Sequence, residues 1–543
     1  MNNKYKFIAV ALIGVLSVGC NDLDTEPLGG IITSDQKEAV LENDPSMAEA
    51  GVFGLPDATK NVGYVSSQLG VGLRHDDYGY ASLFLGLDSR GIDMVGPNDG
   101  YNWYSGQSSL ADWGGTYFAN INFWYYNFAM IKTANTVAAG IPLDTDVATL
   151  KYYRAQAHVF RAYAYFMLAN MYQRTYIVNP DAPCVPLITD ENLDEAAVNG
   201  TPRSTVAQVY DQIIKDCTEA IAYLDAAQED GVSRPDRRFA DQAVAYGLRA
   251  RAYLTMQKYA EAAADAQTAI SRTDATPISV SEASVPGFSH LQNKNFMWGI
   301  QNLASESFTA GVVNFASMFG PWMSNGYCSV GCSRRASKKL YALIPATDAR
   351  KNWWVAEDGS LPATLPAAYV AYANSQKGQA GEFVPYTTLK YAAADQPGGT
   401  SGAIDIPMMR VEEMYYILAE AQGMQNVSTG AQTLQSFVNQ YRDPTFACRA
   451  TNKDEFREVI WNQRRIEFWG EGLSYFDLMR FEKGIDRRGC GFPPAWVFNI
   501  AADEPIMRYQ IPQEEVEANP LIDTDVVEEG LTWKAAVPVA DEE

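Results

Sequence analysis

Residues 150–176 read LKYYRAQAHVFRAYAYFMLANMYQRTY. Lys151, Arg154, His158 and Arg161 sit at i, i+3, i+7 and i+10, which traces one narrow polar stripe along an α-helix. The rest of the circumference is alanine, Tyr153, Phe160, Tyr163, Phe166 and Leu168. A helix that is apolar over most of its surface is buried between neighbours. The stripe, with His158 in it, is expected to face water rather than to hold a ligand.

Moving outward, helical periodicity recurs from Thr205 to Leu224 and from Phe239 to Ile270. Within the second stretch Tyr246, Ala250, Tyr253, Ala262 and Ala269 have the spacing of a tetratricopeptide repeat. Small residues there let paired helices approach and an aromatic fills the gap. Gln257-Lys258-Tyr259 supplies the turn. Further helices are expected from Met408 to Met424 and from Glu455 to Lys483, with Pro407 and the Gly423/Gly430 region as punctuation. The fold class is therefore mainly α: a tetratricopeptide-like helical-repeat scaffold with long insertions.

The helical core is expected at about 115–272 and 405–485. Loop-rich insertions at about 56–114 and 273–404 carry Gly, Ser, Asn and Pro together with Trp, Tyr and Phe. Long aromatic-bearing loops on a helical scaffold are where binding surfaces form.

Of 543 residues 47% are hydrophobic and 20% charged, the balance of a globular chain. Lys and Arg total 42 against 65 Asp and Glu, a formal charge of −23. Phosphate backbones are bound by displacing counterions with cations, and the chain has no Lys/Arg-rich run, so nucleic acid is excluded as a partner class. Six cysteines beyond Cys20 leave three states open for Cys328-x3-Cys332: a small disulfide loop, half a zinc site, or free thiols. Zinc is the weaker reading, because only His75, His158 and His290 are available elsewhere. No metal or other cofactor is expected.

Lys4 and Lys6 precede an apolar run of 13 residues, Phe7 to Gly19, that ends in small residues before Cys20. This reads as a secretory signal over residues 1–19. It falls short of the roughly 20 residues that span a bilayer as a helix. Leu16-Ser17-Val18-Gly19-Cys20 resembles the bacterial lipobox, with Leu one position early, which implies lipidation of Cys20. The acidic stretch Asn21 to Glu26 is similar to signals that place lipoproteins on the outer face of the outer membrane. The mature chain, residues 20–543, is read as a single domain.

Six motifs, in order, resemble the SusD/RagB family of outer-membrane glycan-binding lipoproteins. They are CNDLDTEP at Cys20; His75-Asp76-Asp77-Tyr78-Gly79-Tyr80; the helix around Arg154 to Tyr172; Ile406-Pro407-Met408-Met409-Arg410 with Ala419-Glu420-Ala421; Arg464-Arg465-Ile466-Glu467-Phe468-Trp469-Gly470-Glu471-Gly472 running into Tyr475 to Arg480; and Ile511-Pro512-Gln513-Glu514-Glu515 with Asn519-Pro520. The resemblance implies a lipid anchor to the membrane, an oligosaccharide or polysaccharide ligand, and a SusC-like TonB-dependent transporter over which the lipoprotein forms a lid. In the Arg464 to Arg480 motif, Glu467 and Glu471 lie within i,i+3 and i,i+4 reach of the arginines. Its expected role is helix packing.

A glycan site needs flat aromatic faces flanked by hydrogen-bonding groups. From Tyr101 to Phe128, 11 of 28 residues are aromatic against 12% in the whole chain, so this segment carries the signal. Trp113 to Phe128 leads into a helix and is read as core. Tyr101, Trp103 and Tyr104 follow the turn Pro97-Asn98-Asp99-Gly100 and are read as ligand-binding. By resemblance, Asp77 joins them, and Trp298, Trp322 and Tyr327 form another side of the cradle. Arg334 and Arg335 nearby can fork to vicinal hydroxyls or meet a carboxylate-bearing sugar.

Other functions have less behind them. A glycoside hydrolase needs two carboxylates at a set separation, which sequence does not measure, and no nucleophile elbow or zinc-protease motif is present. The chain is read as a binding protein, not an enzyme. Peptides or glycoprotein fragments are the alternative solute, because RagB-like relatives act in peptide uptake.

Overall fold

The computed structural model describes residues 40–41, 43–392, 397–522 and 533–542. The leader, Cys20 and the acidic stretch after it lie outside the described residues.

Ten helices and four short strands position the site: α1 (Tyr80–Arg90), β1 (Met94–Val95), α2 (Phe118–Ala139), α3 (Ala148–Tyr172), α4 (Val206–Glu229), α5 (Gln242–Thr255), α6 (Tyr259–Arg272), β2 (Phe296–Ile300), β3 (Arg335–Ala336), β4 (Ile406–Arg410), α7 (Val411–Gln425), α8 (Val427–Tyr441), α9 (Lys453–Glu467) and α10 (Ser474–Arg480). The helices pack in sequence as antiparallel neighbours, α2 on α3, α3 on α4, α4 on α5 and α5 on α6. Then α6 packs directly on α7 and α7 on α8, although 138 residues separate Arg272 from Val411 in the chain. The helical repeat is thus continuous in space across the long insertion. The strands only clip segments together: β1 pairs antiparallel with β3, and β2 with β4.

The repeat residues do what their size dictates. Ala250, Ala262 and Ala269 are fully buried between α5 and α6, and Arg249 forks across the pair to Asp265 at 2.7 and 2.9 Å. At α7/α8, a Cβ on Gly430 would collide with the backbone of Gly423, and one on Gly423 with Phe456. The two glycines set the closeness of that crossing.

The polar stripe of α3 corrects the sequence reading. Arg154, His158 and Arg161 are all buried, because helices cover this face too. Arg154 donates to the carbonyls of Ala138 and Ile141 at 2.6 and 2.7 Å, capping the end of α2. Arg161 forks to Asp216 of α4 at 2.9 and 2.6 Å. His158 Nδ1 lies 3.4 Å from Asp216 and 3.2 Å from Glu219. The stripe stitches α2, α3 and α4 together instead of meeting water.

The Arg464 to Arg480 motif is structural, but Arg464 and Arg465 do not pair with Glu467 and Glu471 along the helix; apart from the i,i+3 pair Arg480–Asp477, the ion-pair partners are further off in sequence. Arg464 pairs with Asp477 at 2.8 Å, Arg465 with Asp93 at 2.6 Å, and Arg480 with Glu420 and Asp477. Glu467 is fully buried and accepts from Arg442 at 2.8 Å, Arg410 at 3.2 Å and Arg350 at 3.3 Å. Glu471 takes Lys390 at 2.6 Å and Arg410 at 2.8 Å. Buried charge persists only when fully paired. Four motif positions, Arg410, Glu420, Glu467 and Arg480, are therefore the joints at which β4, α7, α9 and α10 meet.

The insertions are less loop-like than expected. Every residue of α1 is buried, and Trp298, Trp353 and Trp354 of the second insertion lie in the core.

Candidate functional site

The turn at 97–104 is built by its side chains. Asp99 accepts from the Tyr101 backbone N–H at 2.9 Å, and Asn102 bridges the Pro97 carbonyl and the Tyr104 N–H at 2.8 and 3.1 Å. Such Asx contacts hold a turn without a ladder. Inside it, Tyr104 is buried and its hydroxyl bonds that of Tyr78 at 2.6 Å. Tyr101 is left exposed, and Trp103 is half-buried, packed against the core on one side.

Three segments converge there. His75 stacks on Trp103 with centroids 4.7 Å apart and planes 25° from parallel. Its Nδ1 hydrogen-bonds the Tyr327 hydroxyl. Tyr327 lies 6.2 Å from Tyr101 and 6.4 Å from Trp103, ring to ring. Arg74 lies 5.5 Å from the Trp103 ring centroid and 4.4 Å from that of Phe118, while forking to Asp76 at 3.0 and 3.1 Å. The result is an aromatic platform of Tyr101, Trp103 and Tyr327, with His75 as its inner prop and Arg74 at its edge. Tyr101 is 58% exposed, the most accessible ring of the group.

Electrostatically the platform is close to neutral. Burial lowers the His75 pKa against the opposing pull of Asp76, so the imidazole is uncharged at neutral pH. Burial raises the Asp76 pKa, and the Arg74 guanidinium counters it. A neutral aromatic face with one delocalised cation beside it suits a ligand that offers C–H faces and hydroxyls.

The structure divides the expected site residues. Tyr101, Trp103 and Tyr327 come together at the surface. Asp77 does not join them: it is fully buried, and its carboxylate accepts from the Ser66 N–H and hydroxyl, both at 2.8 Å. Tyr104 lies under the platform. Trp298 is core, edge-on to Phe160 and Tyr163, with its indole N–H on the Arg238 carbonyl at 2.9 Å. Trp322 is 3% exposed in a separate small cluster with Tyr369, Tyr372 and Phe383. All four are buried inside the fold, which a residue-type argument on loops does not see; Tyr104 and Trp298 have their polar atoms bonded there, whereas Asp77 Oδ1 and the Trp322 indole N–H are buried without a hydrogen-bond partner.

Sequence reasoning missed His75 and Arg74 as parts of the platform. The signal was there in the charged turn Arg74-His75-Asp76 ahead of an aromatic helix start. Part of the Trp113 to Phe128 segment, read as core, is also at the surface: Tyr117 is 37% exposed, and Trp113 stacks on Trp533 at 5.1 Å. A groove of about 710 Å³ adjoins the 70–75 loop through Leu73 and is lined by Asp57, Lys60, Glu306 and Phe308.

Among the described residues His158, Asp216 and Glu219 form the one group whose ligand atoms could gather around a metal, all within 4.8 Å. Both Asp216 oxygens are already taken by Arg161, so this is an ion-pair network. The six described cysteines are free thiols, and Cys332 donates to Asp99 at 3.3 Å. Thus Cys328 and Cys332 are in the third of the states open from sequence. No helix among the described residues is long and apolar enough to cross a membrane.

Stacked helical hairpins thus carry an aromatic platform at one place on their surface. Residues 88–254 match the family described as starch-binding associating with outer membrane, and residues 334–526 match the SusD family. A SusD-like protein, P2, of Formosa agariphila is 23% identical over 530 residues, covering 89% of this chain and 91% of its own. A SusD-like carbohydrate binding protein from Bacteroides vulgatus superposes with a TM-score of 0.70 at 22% identity, covering 88% of this chain and 97% of its own. Surface glycan-binding protein A from Bacteroides thetaiotaomicron, solved with laminarihexaose, does so at 0.61 and 16%, covering 88% and 98%. The chain belongs to the SusD/RagB family.

Proposed function

We propose that this protein is a surface glycan-binding lipoprotein that captures oligosaccharides or polysaccharide fragments on the Tyr101–Trp103–Tyr327 platform. The observation that carries the reading is the convergence of three rings from two distant loops, Tyr101 exposed and Trp103 and Tyr327 half-buried beside it. A sugar ring offers an apolar face of C–H groups that stacks on such rings, and Arg74 with the Tyr101 and Tyr327 hydroxyls supplies polar partners at the rim. The groove beside Leu73 gives a longer chain somewhere to run. The laminarihexaose-bound relative lends weight to an oligosaccharide as the ligand class.

On this reading the captured chain passes to a SusC-like TonB-dependent transporter in the outer membrane, and Cys20 carries the lipid that keeps the protein there. Binding requires no catalytic group. The paired state of Asp76 with Arg74 leaves it an orienting residue rather than a general acid. The test is a binding screen of the full chain, with Cys20→Ser to keep it soluble, against neutral, acidic and host-type glycans and a peptide mixture. Saturable binding of a glycan is expected. Peptide binding alone overturns the substrate class.

A further inference from the structure

Arg334 and Arg335 are adjacent at the start of β3, and their side chains go to different places. Arg334 turns under the platform, its Nε on the Met318 carbonyl at 3.0 Å and its guanidinium 5.3 Å from the Tyr104 ring. Arg335 lines a separate pocket of about 390 Å³, together with Val95, Ala336, Lys338, Glu357, Tyr386 and Gly491 among others. Val95 is its partner across the β1–β3 pair.

Arg335 is half-buried and has, among the described residues, neither of the partner types that the buried arginines use. Arg487 gives its N–H groups to backbone carbonyls, those of Gly91 and Arg90 among them. Arg350, Arg410 and Arg442 each meet a carboxylate. Arg335 forms no ion pair with any described carboxylate, in a chain that carries 65 acidic residues. Burial alone pulls its pKa down, with no anion to raise it. Lys338, exposed at the pocket's mouth, is a second cation without an ion-pair partner among the described residues. The pocket's own acid, Glu357, faces the Tyr386 hydroxyl: burial and then that carboxylate push the phenol up to about 12. Tyr386 also sits at a φ of +69°, a strained backbone for a tyrosine, so its ring is held in the wall by the surrounding structure.

A half-buried guanidinium with no carboxylate beside it keeps N–H groups free at the pocket for an incoming anion. An oxyanion can accept two of those N–H groups at once in the fork geometry of a guanidinium. We propose that the Arg335 pocket binds the anionic group, carboxylate or sulfate, of a ligand about the size of one sugar ring, with Arg335 as the fork, Lys338 as the second cation and Tyr386 as the wall against the ring. A cavity of this size holds a single ring rather than a chain. The site is independent of the aromatic platform, and a protein that failed to bind neutral glycans could still carry it.

The test titrates glucuronate, inorganic sulfate and glucose into the full chain with Cys20→Ser at constant ionic strength, in the wild type and in Arg335→Gln, Arg335→Lys, Lys338→Ala and Trp103→Ala backgrounds. Saturable binding of glucuronate or sulfate, but not glucose, is expected. It should fall at least ten-fold in Arg335→Gln, fall less in Arg335→Lys and Lys338→Ala, and stay unchanged in Trp103→Ala. Tighter glucuronate than sulfate binding supports contact with the ring, and equal binding supports recognition of the anion alone. Absence of saturable binding of both anions to the wild type, or affinities unchanged in both Arg335→Gln and Lys338→Ala, overturns the proposal. Melting curves identify any variant that fails to fold, and Lys338→Ala, at an exposed position, keeps the test open in that event.

Discussion

The imidazole of His75 lies flat against the indole of Trp103, centroids 4.7 Å apart, while its Nδ1 reaches the Tyr327 hydroxyl across 252 positions of sequence. One uncharged ring therefore fixes the orientation of two others. Aromatic pairs of this kind contribute about 0.5–1.5 kcal/mol beyond their burial. His75→Ala should weaken glycan binding by roughly three- to ten-fold with little change in melting temperature, measured by titration calorimetry beside a thermal melt. Unchanged affinity would mean that the rings are held by something else.

Asp77 gives the opposite pattern. Its carboxylate satisfies the Ser66 N–H and hydroxyl away from solvent, so Asp77→Ala should cost about 1–3 kcal/mol of stability. The folded variant should keep its glycan affinity. Denaturant unfolding reads the first effect and titration the second.

Glu467 is the hub of the buried charge cluster. Burial disfavours its charge, yet Arg442, Arg410 and Arg350 hold its carboxyl well below the usual carboxylate range. Glu467→Gln leaves those guanidiniums short of a countercharge and should destabilise the protein by about 3–5 kcal/mol. A double-mutant cycle with Arg442→Gln should show strong coupling between the two sites.

His158 supplies a pH dependence. Burial opposes its charge, but Asp216 and Glu219 outweigh burial and the nearby Arg161, and the pKa is raised. A raised histidine pKa means that the folded state holds the proton more tightly. Its stabilising contribution is full below about pH 6.5 and is lost as the pH climbs through the raised value. Urea unfolding between pH 5.5 and 9 should show stability declining on the alkaline side, and His158→Gln should remove that part of the slope.

The helices were legible because their evidence is local. The α3 stretch and the alanine spacing of α5 and α6 each state a period, whereas Pro407 falls inside β4 and the helix expected from Met408 starts at Val411. The turn at 97–104 was legible for the same reason, and with it Tyr101 and Trp103. What sequence hid was the direction of charge. Arg154, His158 and Arg161 look like a solvated stripe until α4 brings Asp216 and Glu219 to them, and Glu467 looks like a partner for Arg464 until Arg410 and Arg442 arrive from elsewhere. The same limit governs Asp77, Trp298 and Trp322. Their residue types suit a sugar, and only the fold reveals that Ser66, Arg238 and the Tyr369–Phe383 cluster already occupy them. Arg334 and Arg335 are indistinguishable as a dipeptide and separate only when β3 pairs with β1.

The central claim is that the Tyr101–Trp103–Tyr327 rings hold the ligand, and the most direct measurement is the affinity of one glycan for the wild type, Trp103→Ala and Trp322→Ala. Trp103→Ala should lower it at least ten-fold without a matching loss of melting temperature, whereas Trp322→Ala should lower the melting temperature and spare the affinity of the folded protein. Equal affinity in the wild type and Trp103→Ala would contradict the account.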